Sequence, residues 1–448
     1  MNAKKTNGQA TTTVRMTRNA RLAVPFVVGI VVGLIVTVAT AAPLPIPVGI
    51  VSSTDRGTES EIFYHAPDLT PFGIQDSQNK ANRIFRGVAA ADFDGDGIDE
   101  IAVAANERGA GANYDYSEIF LYEFNQLNQY FDTQNPTGRF SSIDIGDVNN
   151  DSQPDVVVTN IREEGTAGDP HSAELRIYTD LRNQNSTNIE TTPEVGGQLE
   201  DLAVGNFDAD PNDEIIVIRN AAASSGDALE QEAILYDHDG TRLADTPNRL
   251  DEDWNAVVAG NFNKNGTATN FVYGIEELCC ANKGRARFRS ADADVPSITD
   301  ILYNTPTRNG FQVALAAGNF DSDAFDELVA LVEYDGSNIG YLELFDHDGS
   351  YLGYVSGTGM PVAVETGDID RDGLDEIAVL WSGGALGSSA QLQTYDVANG
   401  QMTLINTSSA FTGAGTDVTI LFREAVIPEP ATAMLAVMPI VGLMLRRR

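Results

Sequence analysis

Cysteine is almost missing from this chain: Cys279 and Cys280 are the only two in 448 residues, and they are adjacent. Zinc chelation or a Cys–His catalytic pair would need more ligands or a neighbouring histidine, which leaves a vicinal disulfide, a pairing between chains or free thiols. Histidine is nearly as scarce, with His65, His171, His238 and His347. His238 and His347 occupy the same turn in two repeats, so turn architecture explains them better than catalysis does. Positive charge is short as well, 28 Lys and Arg against 65 Asp and Glu, for a net charge of −37. Such a surface repels phosphate backbones and excludes nucleic acid as a partner. No Ser-His-Asp order, glycine-rich phosphate loop or distinct carboxylate pair stands apart from the repeats, and no amphipathic helix is evident between residues 50 and 425.

What the chain has in abundance is one acidic loop. Asp92-Phe93-Asp94-Gly95-Asp96-Gly97-Ile98-Asp99-Glu100 is followed by the apolar run Ile101-Ala102-Val103-Ala104. Further copies begin at Asp147, Asn206, Asn261, Asn319 and Asp368. The spacing, about 50 to 60 residues, is that of a supersecondary unit that cannot bury its own apolar face and therefore comes as an array. Small apolar runs such as Gly87-Val88-Ala89-Ala90 precede the loops, which places each loop between two strands.

Oxygen-bearing side chains at alternate positions, a turn glycine, a backbone carbonyl and a closing acid follow the ligand logic of calcium, which takes six to eight hard oxygens. Turn propensity alone accounts for one such loop, but not for several in register. An EF-hand is excluded, because the acid falls at the ninth position rather than the twelfth and strand residues follow. The candidate ligands of the first copy are Asp92, Asp94, Asp96, the Ile98 carbonyl and Glu100. Those of the last are Asp368, Asp370, Asp372, the Leu374 carbonyl and Glu376. The second copy offers Asp147, Asn149, Asp151, Gln153 and Asp155, with Ser152 in place of the glycine. Weaker sets begin with a neutral residue: Asn206, Asp208, Asp210, Asn212 and Glu214, then Asn319, Asp321, Asp323, Phe325 and Glu327. The copy at Asn261 carries no carboxylate at its ligand positions and is expected to keep the turn without the metal. The expectation is about three to five calcium ions in all.

Beyond each loop an apolar strand, a polar loop and an alternating strand follow, for example Glu118-Ile119-Phe120-Leu121-Tyr122 and Tyr341-Leu342-Glu343-Leu344-Phe345. Asp237-His238-Asp239-Gly240, Asp346-His347-Asp348-Gly349 and Asp396-Val397-Ala398-Asn399-Gly400 supply hairpin turns with positive φ. Four short strands per unit describe an all-β fold, a β-propeller with four-stranded blades and the acidic loops between the first two strands of each. Glu61 to His65 reads as a third strand without a loop, and Asp417 to Phe422 as a first strand without one. Together they complete a seventh blade; six blades is the alternative. Lys283, Arg285, Arg287 and Arg289 form one basic island, and alternation puts the arginines on one face of a strand, either as a solvated, aggregation-resistant edge or as a contact for anionic polysaccharide.

The loops resemble those of FG-GAP/VCBS-type repeats, the calcium-loop blades also found in integrin α-chains, over about residues 80 to 385; the copy at Asn261 departs from the pattern. The resemblance implies a calcium-binding propeller. Two functions are compatible with it: non-enzymatic presentation of loops to a protein or polysaccharide for adhesion, which is preferred, and calcium-dependent cleavage of polysaccharide by a lyase or hydrolase built on the same scaffold.

The ends read as sorting signals. Basic residues up to Arg21 precede an apolar run from Leu22 to Ala42 that contains Ala39-Thr40-Ala41, which predicts a signal peptide over residues 1–41, with an uncleaved anchor as the alternative. Val426-Ile427-Pro428-Glu429-Pro430, an apolar segment and Arg446-Arg447-Arg448 resemble the PEP-CTERM signals of Gram-negative-type bacteria. That resemblance implies removal of residues 428–448 by an exosortase after transient membrane association, and delivery of residues 42–427 to the cell envelope, surface or extracellular matrix through the export machinery.

Overall fold

The computed structural model describes residues 46–423, apart from 71–79, 108–116, 123–128, 136–137, 163–171, 180, 182–187, 193–194, 208–210, 222–229, 247–251, 263–269, 278–282, 293–296, 299–301, 322, 324, 335–339 and 384–388. The two sorting signals and Cys279-Cys280 lie outside the described residues. Every regular element described is a strand. No helix among them is long and apolar enough to cross a membrane.

The strands form seven antiparallel sheets. Blade 1 starts with Arg83–Ala91 and continues through Glu100–Glu107, Ser117–Tyr122 and Gln129–Asn135 in spatial order. Blades 2 to 6 repeat this meander from inner strands Arg139–Gly146, Gln198–Gly205, Glu252–Gly260, Phe311–Gly318 and Met360–Gly367. Blade 7 joins distant parts of the chain. Its inner strand, Ala414–Arg423, pairs with Ile46–Asp55 with Ile420 opposite Ile50, and Glu59–His65 then stands third. The seven-bladed reading holds and the six-bladed one does not. Because this blade takes its first strand from one end of the chain and its second from the other, no loop joins them, so six loops serve seven blades.

The inner strands neighbour one another in sequence order, and Ala414–Arg423 lies against Arg83–Ala91, closing the ring. Second strands are covered on both faces by adjacent blades, which is why they read as unbroken apolar runs rather than alternating ones. Val156, Val157 and Val158 are all fully buried, as are Ile215 to Ile218. The core is accordingly a series of apolar wedges between neighbouring blades: Val103, Phe120 and Leu421 between blades 7 and 1, Val157, Leu175 and Ile234 between 2 and 3.

Each inner strand carries a register shift. Such bulges turn side chains toward the axis and increase the local twist. They line a central channel of about 590 Å³.

The basic island corrects an expectation. Lys283–Asp292 is the third strand of blade 4, with partners on both sides rather than a solvated edge. Alternation does align the arginines, but toward the interior: Arg287 and Arg289 are buried. Arg287 donates two hydrogen bonds to Glu252, at 3.0 and 2.9 Å, and Arg289 donates one to the Tyr273 hydroxyl at 2.9 Å.

Candidate metal centre

The apolar second residue anchors each loop. Phe93, Val148, Phe207, Phe262, Phe320 and Ile369 are buried in the inter-blade wedges, and this fixes the backbone N–H groups that follow. The ninth residue, at the start of the buried second strand, turns its carboxylate back to meet them. Glu100 Oε2 accepts from Phe93 N–H at 2.9 Å and Asp94 N–H at 3.2 Å. Asp155 Oδ2 accepts from Val148 and Asn149 at 3.1 and 3.2 Å. Glu376 does the same with Ile369 and Asp370, and Glu214 and Glu327 accept from Phe207 and Phe320.

Within the loop the acids chain together through local turns. Asp94 Oδ1 accepts from Asp96 N–H and Asp96 Oδ1 from Ile98 N–H, both at 2.9 Å. Asn149 and Asp151 repeat the pattern, as do Asp321 with Asp323, and Asp370 with Asp372. The fourth and sixth positions have positive φ whether or not they are glycine: Gly95 and Gly97, then Asn150 (55°) and Ser152 (62°), then Arg371 (70°) and Gly373. Ser152 and Arg371 are held in the left-handed region against their own preference, which shows that the loop conformation is imposed by its surroundings.

This geometry gathers three sets of carboxylates, each with oxygens within 4.8 Å: Asp92, Asp94 and Asp96; Asp321, Asp323 and Glu327; Asp368, Asp370 and Glu376. One oxygen of each ninth-position acid is used by the backbone. Asp155 Oδ1 and Glu327 Oε1, together with Asp368 Oδ1, are buried and lack a hydrogen-bond partner. Burial pushes Glu100 up to about 8, helped by the charges of Asp94, Asp92 and Asp96, and pushes Asp155, Glu327 and Glu376 up to about 7. Buried carboxylate oxygens without donors, crowded by like charge, fit a hard divalent cation.

The loops that open with asparagine differ. Asn206 Nδ2 donates to the Asn212 carbonyl at 3.1 Å, and Asn319 Nδ2 to the Asp323 carbonyl at 2.7 Å. In the first of these the amide engages the carbonyl expected to bind metal. Asp208 and Asp210 lie outside the described residues, as do Asn263, Asn265 and Thr269 of the fourth copy.

The eighth position escaped the sequence reading. Asp213 Oδ2 accepts from Asp147 N–H at 2.8 Å, and Asp213 N–H donates to the Asp147 carbonyl at 3.0 Å. Asp326 clasps Asn261 and Asp375 clasps Asn319 in the same reciprocal way. Each acid thus reaches the first loop residue of the preceding blade. Its recurrence at Asp99, Asp213, Asp326 and Asp375 was the available signal.

Three of the acids lining the channel have a comparable use. Asp417 accepts from Val88 N–H, Asp144 from Val204 N–H and Asp201 from Val257 N–H, at 2.8, 2.8 and 2.9 Å. Each bond ties one inner strand to the next.

A family model described as an FG-GAP-like repeat matches residues 92–158, from the first loop into the strand after the second. The chain therefore carries FG-GAP-like sequence within a seven-bladed propeller. No curated protein matches. Among solved structures, similarity extends to the V. cholerae biofilm matrix protein Bap1, with 12% identity, a TM-score of 0.27 and coverage of 87% of this chain and 88% of that one. A structure from work on two prolyl endopeptidases shows 12% identity and a TM-score of 0.44, covering 82% of this chain and 49% of the other. Both likenesses are too remote to bear on activity.

Proposed function

We propose that the protein is an exported, calcium-stabilised propeller that presents its loops, without catalysis, to a protein or polysaccharide partner at the cell surface or in the extracellular matrix. The observation that carries the calcium reading is the ninth-position carboxylate, with one oxygen held by the loop backbone and, in Asp155 and Glu327, the other buried without a hydrogen-bond partner. Asp92, Asp94, Asp96 and Glu100 would hold one ion, Asp147, Asn149, Asp151 and Asp155 a second, and Asp368, Asp370, Asp372 and Glu376 a third, with the carbonyls of Ile98, Gln153 and Leu374 completing the sets. The ion supplies positive charge that relieves carboxylate repulsion, and the eighth-position clasp passes that ordering to the neighbouring blade.

Support for a scaffold rather than an enzyme comes from the channel, where Asp144, Asp201 and Asp417 accept backbone N–H groups from adjacent blades and so act as struts. Export, exosortase processing and envelope or matrix delivery rest on the patterns at the two ends of the sequence. The buried arginines of blade 4 direct attention to the loops as the contact surface. Incubating the full-length protein with alginate-like and other acidic polysaccharides, with and without chelator, tests the role. The expected result is calcium-dependent retention on a polymer of unchanged length; calcium-dependent shortening of the polymer would overturn the non-catalytic assignment.

A further inference from the structure

Antiparallel blades place the connection between strands one and two at the same end as the turn between strands three and four. In blade 5 the register sets Leu328 opposite Phe345, so the next residue on each side brings Glu327 beside Asp346 and His347. Blade 3 repeats this: Ile215 lies opposite Tyr236, which brings Glu214 beside Asp237 and His238. In both blades the two carboxylates and the imidazole offer ligand atoms within 4.8 Å of one another.

The blade 5 cluster is the more enclosed. Glu327 is 2% exposed, and its Oε1 is buried and has no hydrogen-bond partner, while Oε2 is held by Phe320 N–H. His347 Nδ1 is buried too; it lies 2.7 Å from Asp346 Oδ1 but outside the geometry of a hydrogen bond. The seventh loop residue sets the imidazole. Phe325 packs against His347 with ring centroids 4.9 Å apart, and in blade 3 Asn212 Nδ2 lies 3.4 Å from His238 Nδ1.

Asp-His pairs occur in the blades whose acidic loops open with asparagine, Asn206 and Asn319, and not in those that open with aspartate. The corresponding turn after the third strand in blade 6 reads Asp396-Val397. Where the loop gives up an oxygen anion, the turn supplies a nitrogen. Nitrogen changes the ion that is preferred: calcium takes oxygen, whereas imidazole with carboxylates suits zinc and neighbouring first-row metals.

We propose that Glu327, Asp346 and His347, and in a second copy Glu214, Asp237 and His238, bind a divalent transition-metal ion of the zinc class, distinct in chemistry from the calcium loops of blades 1, 2 and 6. Zinc titration of the full-length protein, held in excess calcium and freed of other metals, tests this by calorimetry. His347→Ala and His238→Ala should each remove one bound zinc ion and the double variant both, with calcium uptake unchanged. Asp92→Asn should lower calcium uptake and leave zinc binding intact, so the two readings fail separately. A melting curve of each variant in calcium confirms folding, and on the unaltered protein zinc should raise the melting temperature beyond its calcium-saturated value. Undiminished zinc binding by the double variant, or no zinc uptake by the unaltered protein, would overturn the proposal.

Discussion

Asp147 and Asp213 fasten two neighbouring blades by a reciprocal pair of hydrogen bonds, Asp147 N–H to Asp213 Oδ2 at 2.8 Å and Asp213 N–H to the Asp147 carbonyl at 3.0 Å. A Cβ on Gly146, the residue before Asp147, would sit 2.3 Å from Val204 Cγ1 and 2.8 Å from Asp213 Oδ2. Glycine there is what lets the blades approach closely enough for the clasp. Asp213→Ala should therefore cost about 1–3 kcal/mol, the range for removing a charged acceptor from an N–H that is partly shielded from water. Equilibrium denaturation checks this; Asp375→Ala should fall in the same range and Asp326→Ala, whose bond to Asn261 N–H is exposed, below it.

The pH dependence has a definite sign. Glu100, Asp155, Glu327 and Glu376 are raised in the folded protein by burial and neighbouring acids, to between about 7 and about 8. A carboxyl raised on folding contributes stability below its unfolded value, near 4, and loses it as pH rises through the folded value. In chelator the melting temperature should fall between pH 5 and pH 8. Calcium should remove much of that fall, so the gap between the two curves widens with pH. Channel acids are raised in the same direction, Asp144 and Asp417 to about 7 and Glu365 to about 8, and leave a residual slope in calcium.

Ser152 and Arg371 hold φ of 62° and 70° at positions where other copies use glycine. Ser152→Gly and Arg371→Gly should each stabilise by about 1 kcal/mol, since the left-handed region penalises a Cβ by roughly that amount. Thermal melts in calcium measure it. A loss of stability would show that these residues are not strained.

Arg287 neutralises Glu252 in the interior of blade 4. Burial works to raise the Glu252 carboxyl, and the hydrogen bonds and charge of Arg287 outweigh it, leaving the group below its ordinary range. Arg287→Ala leaves that carboxylate with only Trp254 Nε1 at 3.0 Å and Arg285 at 3.5 Å and should cost about 1–3 kcal/mol. Adding Glu252→Gln to the variant should recover part of the loss, as read by denaturant unfolding.

The repeat, the strand order and the closing blade were legible because they depend on local chemistry: Asp and Gly at loop positions, apolar runs in buried strands and a third strand left without its loop. What escaped depends on contacts made far along the chain. Asp213 looks like one more loop acid until the preceding blade supplies Asp147. Alternation found the face shared by Arg285, Arg287 and Arg289, but Glu252, which draws it inward, lies on another strand. His238 and His347 were identifiable as turn residues. Their approach to Glu214 and Glu327 required the register between second and third strands.

Unfolding of the full-length protein with calcium and with chelator shows whether the acidic loops hold the ion. An ion that binds the folded loops alone must raise the midpoint, by an amount that grows with the logarithm of its concentration above the dissociation constant. Calcium binding to the loops predicts a higher melting temperature in calcium, with the gain reduced by Asp92→Asn and by Asp368→Asn and untouched by Asn261→Ala. Identical curves in calcium and in chelator would contradict it.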